Sequence, residues 1–454
     1  MKKITVISLV VIIHLISCNK NIDKPVVPGD LRSTASANQG NGHLQQTKTF
    51  SADVVIRWLN MQLDMLRVPL AAGTGSQAAD RAMAYCGIAA YESVVPGMPA
   101  YQTLYGQLNA FPEMPLREPG KSYHWSASAN AALAEMNRKL FPTTSATNKA
   151  NIDNLENTLN AVYVTETDAE TITRSIKFGK EVAARVFAWA LTDGSANVNP
   201  PYVPPIGPGL WKSTAPNFPN PVNPYFSQRR LMVAGVTSGT SLEPPPAYST
   251  DPTSPFFQMV KDVYDKKENR TPAQEAMAIY HRDAPGYPGG GQFIAILSQV
   301  IDKADVMLDK AALAYAKTGI SMFDVTTILF TQKYSYNLVR PITYIRDVMG
   351  QSTWLALFNT PPHPEFPSGH AVTGASVATT LTDVFGDNFQ FENHTYDFLN
   401  FPARHYNSFD DMAKEMSDSR VYAGIHYQAT CDKSLLLGKK VAENVLGTVK
   451  FLKD

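Results

Sequence analysis

From Ser51 onward apolar residues recur at helical intervals, and the chain shows no sustained alternation of apolar and polar residues. That pattern limits it to an all-α fold with strands as minor features. Val54, Val55, Trp58, Leu59, Leu63 and Leu66 fall near one helical stripe. A second helix, 77–94, is crowded with small residues (Ala78, Ala79, Ala82, Ala84, Gly87, Ala89, Ala90), which permits close helix packing. Further helices are expected over 126–140, 146–162 and 165–191, the last stopped by Asp193-Gly194. The architecture that buries so many apolar stripes is two helical bundles packed together.

Residues 199–255 break the pattern with clusters such as Pro200-Pro201, Pro204-Pro205 and Pro244-Pro245-Pro246. A loop this long inside a folded chain is usually functional or disordered. Trp211, Phe218, Tyr225 and Phe226 favour a packed wrap, because disordered linkers are poor in aromatic residues. The segment reads as a lid or rim around a pocket mouth. Helices resume at Phe256. Thr271-Pro272-Ala273-Gln274 forms a capping-box start with Pro at the first helical position. A break follows at Pro285-Gly286 and Gly289-Gly290-Gly291, then helices over about 293–318 and from about Met322.

The N-terminus reads as an export signal: Met1-Lys2-Lys3, an apolar run from Ile4 to Ile16, then Ser17-Cys18. The run is too short for a comfortable membrane span. Leu15-Ile16-Ser17-Cys18 resembles the bacterial lipoprotein box, which implies lipidation of Cys18 and anchoring at a membrane, in the periplasm or at the cell surface. The chain divides into a signal peptide (1–17), a lipidated Cys and flexible tether (18–48), an N-terminal helical region (49–255) and a C-terminal helical bundle (256–454). Basic and acidic residues balance at 40 each, so no global field recruits nucleic acid, and positive character must be local. Cys86 and Cys431 are read either as a disulfide or as two separate buried thiols.

The chemistry concentrates in three short pieces of the last third. Lys333 and Arg340 are seven residues apart, so on a helix both would leave one face about 10 Å apart, with Pro341 ending the helix at Arg340. Pro367-Ser368-Gly369-His370 opens a small-residue helix whose first N–H groups could cradle an anion. Ser419-Arg420 lies in a helix opened by Ser408, and His426 follows about 240° further round, so the two converge only if the helix breaks, plausibly at Gly424. Three cations, a Gly-containing turn and two imidazoles, without a carboxylate among them, suit a tetrahedral oxyanion.

The order and spacing Lys-x6-Arg-Pro, Pro-Ser-Gly-His and Ser-Arg-x5-His resemble the signature of the superfamily joining vanadium-dependent haloperoxidases to type 2 phosphatidic acid phosphatases. Gly209-Leu210-Trp211, Pro244-Pro245-Pro246, Arg270-Thr271 and the Asp283 region resemble its bacterial haloperoxidase-like branch. The resemblance implies that Lys333, Arg340 and Arg420 bind the oxyanion with Ser368 and the Gly369 N–H. It further implies that His426 is the apical ligand of vanadate, or the nucleophile toward phosphorus, that His370 is the acid/base, and that Asp283 supports the site from behind. Phe330 takes the place of a Trp common in haloperoxidase-like relatives, and His363 falls where haloperoxidases carry an aromatic residue or a His that influences halide choice. In phosphatase members an Asp four residues after the last His orients it. Thr430 stands there instead, so a backbone carbonyl or Asp432 is expected to fix the tautomer. The implied activities are oxidation of halide by hydrogen peroxide with vanadate as cofactor or, alternatively, hydrolysis of a phosphoester without one.

Overall fold

The computed structural model describes residues 45–453, apart from 73, 75–77 and 215–217. The signal peptide, Cys18 and nearly all of the 18–48 tether lie outside the described residues. The first half of the body carries α1 (Asp53–Leu66), α2 (Ala79–Glu92), α3 (Trp125–Leu140), α4 (Ala146–Tyr163) and α5 (Ala169–Ala190). The expected stripe of α1 is buried, with Val55, Trp58 and Leu59 wholly inaccessible. Helix α5 starts four residues later than its apolar pattern suggests, because Asp168 accepts the Thr171 N–H as its N-cap. Between 199 and 255 the described residues include one 3-10 turn, Phe226–Gln228, ahead of α6.

The second half comprises α6 (Pro255–Glu268), α7 (Pro272–Tyr280), α8 (Gln292–Lys303), α9 (Leu308–Tyr336), α10 (Pro341–Asp347), α11 (Gly369–Phe385), α12 (Phe409–Tyr422) and α13 (Gln428–Thr448). A small antiparallel pair, β1 (Phe391–Asn393) with β2 (Arg404–Tyr406), sets Phe391 opposite Tyr406. The all-α reading holds. Thr271 and Gln274 form the expected reciprocal capping box at the start of α7.

Two helix boundaries correct the sequence reading. One unbroken 29-residue helix, α9, replaces the expected break between 318 and 322, and the break falls instead near Asp305, at φ 47°. Gly319, inside that interval, serves a crossing. A Cβ there would lie 2.5 Å from the Met83 carbonyl oxygen, and one at Gly87 would lie 2.6 Å from that of Tyr315. Small residues thus let α2 and α9 touch backbone to backbone. Helix α9 also ends before Arg340, at Tyr336, because Asn337 takes a left-handed conformation at φ 47°. Arg340 is the extended residue preceding α10, with Pro341 at its first turn. Cys86 and Cys431 are separate buried thiols, which settles the disulfide question against pairing.

Candidate active site

The ends of four helices supply the site. Lys333 leaves the last turn of α9, and Arg340 precedes α10. Ser368 is the N-cap of α11, and Arg420 sits in the last turn of α12. Gly424, at φ 78°, is the break that turns the chain after α12, so His426 returns toward Arg420 as the spacing required. Lys333, Arg340, Ser368, Arg420 and His426 are all buried.

The cations are held by backbone carbonyls rather than by carboxylates. Lys333 Nζ donates to the carbonyls of Pro364 (2.9 Å), Glu365 (3.1 Å) and Pro367. Arg340 donates from Nε to His363 O (2.9 Å) and from Nη1 to Ile425 O (2.8 Å). Its Nη1 also lies 3.1 Å from His426 Nε2, and its Nη2 lies 3.0 Å from His363 Nδ1. Arg420 donates from Nη1 to His281 O at 2.6 Å, while its Nε is buried without a partner. Such pinning fixes each positive charge without neutralising it. Burial, then the neighbouring Arg340, pulls the Lys333 ammonium well below its ordinary value. Burial also draws Arg340 down to about 10.

Glu365 is the residue the sequence reading missed. Its Oε1 accepts from His426 Nδ1 (2.8 Å) and from the Tyr427 N–H (3.1 Å), and its Oε2 accepts from Thr430 Oγ1 (3.0 Å). Neither a backbone carbonyl nor Asp432, the two acceptors expected, takes that place, and Asp432 instead accepts from Gln428 at 3.0 Å. With Nδ1–H turned to the carboxylate, Nε2 carries the lone pair and faces the Arg340 guanidinium. Burial pushes Glu365 up to about 7 against the opposing pull of Arg340 and Lys333. Burial, followed by Arg340, Lys333 and Arg420, holds His426 well below the usual imidazole range, so the ring is neutral. A sequence clue did exist. Thr430 lacks the carboxylate expected there, and Glu365 is the one carboxylate beside the Pro-Ser-Gly-His turn.

At the N-terminus of α11, Ser368 makes no capping bond through its side chain. Its N–H donates to Ser434 Oγ at 2.8 Å, and its own Oγ lacks a hydrogen-bond partner apart from contact with the Cys431 thiol. The first N–H groups of the helix have no intrahelical acceptor. A Cβ at Gly369 would meet only Leu329 Cδ2, at 3.7 Å, and would stand in open space.

His370 Nε2 lies 3.1 Å from Asp283 Oδ1, at ion-pair distance though off the line of a good hydrogen bond. Burial, then Arg420, lowers His370, while Asp283 opposes the shift. For Asp283 burial acts upward, but His370 and Arg420 outweigh it and hold the carboxyl below its ordinary value. Just behind, buried His281 bonds through Nε2 to Glu415 Oε1 (2.9 Å), which also accepts from Arg404 and from Tyr406 Oη (2.6 Å). That network braces the carbonyl on which Arg420 rests.

A cavity of about 520 Å3 opens beside the cage, lined by Asp283, Lys333, His363, Gly369 and His370 among others. Phe330 and His363 meet edge to face at 5.4 Å on its wall. Val222, Asn223 and Phe226 bring the Pro-rich segment to the rim, as expected for part of it. A wider groove of about 1010 Å3 near Tyr101 and Met114 contains none of these residues.

The structure therefore gathers the five motif side chains, Ser368, Gly369, Asp283, His363 and Phe330 around one place, in a fold that defines a class. Residues 314–454 match the family described as the VCPO second helical-bundle domain. Among solved structures, the chain is similar to a bacterial vanadium-dependent iodoperoxidase, at 27% identity and a TM-score of 0.78, over 89% of this chain and 98% of that one. It also shares the fold of bacterial vanadium-dependent chloroperoxidases. The holo form matches at 15% identity and a TM-score of 0.62 over 90% of this chain and 94% of that one. The apo form matches at 17% and 0.62 over 82% and 94%. No curated protein matches. Residues 314–454 thus match that family's second helical-bundle domain, and the chain has the fold of the vanadium-dependent haloperoxidases.

Proposed function

We propose that the chain oxidises halide with hydrogen peroxide at a vanadate held by His426. The observation that carries this reading is the relay Glu365–His426–Arg340, which leaves one neutral imidazole with its Nε2 lone pair turned into a cluster of buried cations. The residues present fit vanadate. The Ser368 hydroxyl and Arg420 Nε are buried polar groups in want of an acceptor, and Gly369 leaves room that any larger residue would fill.

In this reading Lys333, Arg340 and Arg420 would neutralise the charge of a bound vanadate, Ser368 Oγ and the Gly369 N–H would donate to its oxygens, and Nε2 of His426 would hold it. Bound vanadate supplies a Lewis-acidic centre at which peroxide becomes electrophilic toward halide. His370 holds and moves the proton at its Nε2, and Asp283 raises that nitrogen's proton affinity. His363 and Phe330 form the wall beside Arg340 from which halide approaches. The substrates are small molecules, halide and peroxide.

Reconstituting purified protein with orthovanadate and assaying iodide and bromide oxidation by peroxide tests the proposal, with p-nitrophenyl phosphate hydrolysis run alongside. Halide turnover lost in His426→Ala supports it. Vanadate-inhibited ester hydrolysis without halide turnover overturns it in favour of a phosphohistidine mechanism at His426. We also propose that Cys18 is lipidated and anchors the exported enzyme to a membrane. Among the described residues no helix is long and apolar enough to cross one. Palmitate labelling that persists in Cys18→Ala would contradict the anchor.

A further inference from the structure

Helix α13 reaches the anion cage with three side chains of its first two turns. Thr430 Oγ1 donates to Glu365 Oε2 at 3.0 Å, and Ser434 Oγ accepts the Ser368 N–H at 2.8 Å. Between them in sequence stands Cys431, wholly inaccessible and free of any disulfide. Two hydroxyls face its sulfur, those of Ser368 and of Ser417, the latter on α12 three residues before Arg420. Both serines are buried, and neither hydroxyl finds another hydrogen-bond partner. Buried hydroxyls are seldom left so, and here two of them converge on one sulfur. Glu365 bears on the thiol through its charge alone, its oxygens accepting from His426, the Tyr427 N–H and Thr430. Burial, then Glu365, pushes the thiol up to about 12. It therefore keeps its S–H and stays in the form that is a poor nucleophile toward peroxide.

We infer that Cys431 is a positioning residue for the oxyanion: the Ser417 hydroxyl donates to its sulfur, its S–H donates to Ser368 Oγ, and the Ser368 O–H is left to point into the cage. The inference rests on the reading that the cage holds vanadate. A serine hydroxyl has one hydrogen and two lone pairs, while a thiol is a weak donor and a weak acceptor. With Ser417 donating to the sulfur, the Ser368 hydrogen is not drawn there. Accepting a bond from the thiol makes the Ser368 hydroxyl a better donor in its turn. Ser434 meanwhile fixes the Ser368 backbone, so α13 holds this N-cap residue at both its N–H and its hydroxyl. The oxyanion would be met by a row of aligned donors running from α12 through α13 to the N-terminus of α11.

The test combines infrared spectroscopy of the S–H stretch with calorimetric titration by orthovanadate. It uses the native protein and Cys431→Ala, Cys431→Ser, Ser417→Ala and Ser368→Ala, with a thermal melt for each. In the vanadate-free protein the band missing from Cys431→Ala identifies the thiol, and in Ser368→Ala that band should move to higher frequency as its acceptor is lost. Orthovanadate added to the native protein should move it to lower frequency, because a hydroxyl that donates to an anion accepts more strongly. Orthovanadate affinity should fall about threefold to tenfold in Cys431→Ala and in Ser417→Ala, and return toward the native value in Cys431→Ser. Ser417→Ala should do so at unchanged Tm, which keeps the test decisive if Cys431→Ala does not fold. A band unmoved by Ser368→Ala, native affinity in Ser417→Ala, or a Cys431→Ser protein no better than Cys431→Ala overturns the inference even with halide turnover intact. A native protein that binds no orthovanadate overturns the proposed function instead, and the band's response to Ser368→Ala then decides whether the thiol holds that hydroxyl.

Discussion

One methyl group added at two glycines should have opposite consequences. At Gly438, on α13, a Cβ would lie 2.1 Å from the Val372 carbonyl oxygen, 2.9 Å from its carbon and 3.0 Å from the Ala375 Cβ. None of these atoms is the end of a flexible side chain, so α13 must retreat from α11 by about 1 Å to restore ordinary contact. Overpacking of this kind costs about 1–3 kcal/mol. One turn away, Ser434 Oγ accepts the Ser368 N–H at 2.8 Å, and a retreat of that size breaks the bond. Gly438→Ala should therefore lower Tm by several degrees and loosen the turn that would hold the oxyanion. Gly369→Ala adds the same methyl where only Leu329 lies near, at 3.7 Å. Its stability should match or exceed the parent's by about 0.5 kcal/mol, since alanine narrows the unfolded ensemble. Its affinity for orthovanadate should fall at least about tenfold, because the methyl occupies the cradle. Thermal denaturation and calorimetric titration with orthovanadate read both effects. A Gly438→Ala protein with unchanged Tm would refute the packing argument, and a Gly369→Ala protein with parental vanadate affinity would refute the cradle.

Glu365→Gln should leave the fold intact but allow its amide to turn an N–H toward His426. Nitrogen NMR should then show the ring losing its single Nδ1–H tautomer, and vanadate affinity should fall about 10–100-fold. Asp283→Asn removes a group that raises the proton affinity of His370. The acid limb of halide turnover should move to lower pH, by about one unit, and an upward shift would contradict the assignment. Buried His281, His363, His370 and His426 all lie below their ordinary value. Below about pH 6.5 the unfolded chain binds protons that the folded chain refuses, so each subtracts up to about 1.4 kcal/mol per pH unit of acidification until its depressed value is reached. Glu92, Asp324 and Glu365, each raised by burial to about 7, act in the opposite sense between their unfolded value and 7, favouring the folded state as pH falls. The four imidazoles and three carboxyls nearly offset one another, so the native denaturant midpoint should change little from pH 7 to pH 5.5, whereas His363→Gln, with one imidazole fewer, should show a midpoint that rises over that interval.

Helices were legible where an apolar stripe coincides with a cap, as at Thr271 or Ser408. They were misread where one residue type serves two ends. Gly319 and Gly424 are alike in sequence, yet Gly424 turns the chain at a positive φ while Gly319 lets two helices cross. Asn337 ended α9 early because a left-handed Asn needs no glycine signal. The candidate site was legible because each motif sits at a helix end, where spacing along the chain dictates direction. Glu365 was hidden because it reaches His426 across 61 residues, from a loop rather than from the helix that carries Thr430. Periodicity carries no information about such a contact. Only the missing acceptor at Thr430 hinted that a carboxylate had to come from elsewhere.

The most direct measurement is a crystal structure of the protein soaked in orthovanadate, with vanadium located by its anomalous signal. The account predicts one strong peak at bonding distance from Nε2 of His426, with Arg340 released from that nitrogen and the Arg340 and Arg420 guanidiniums and the Lys333 ammonium turned to the oxyanion. A peak elsewhere, or no peak beside an Nε2 still held by Arg340, would contradict it.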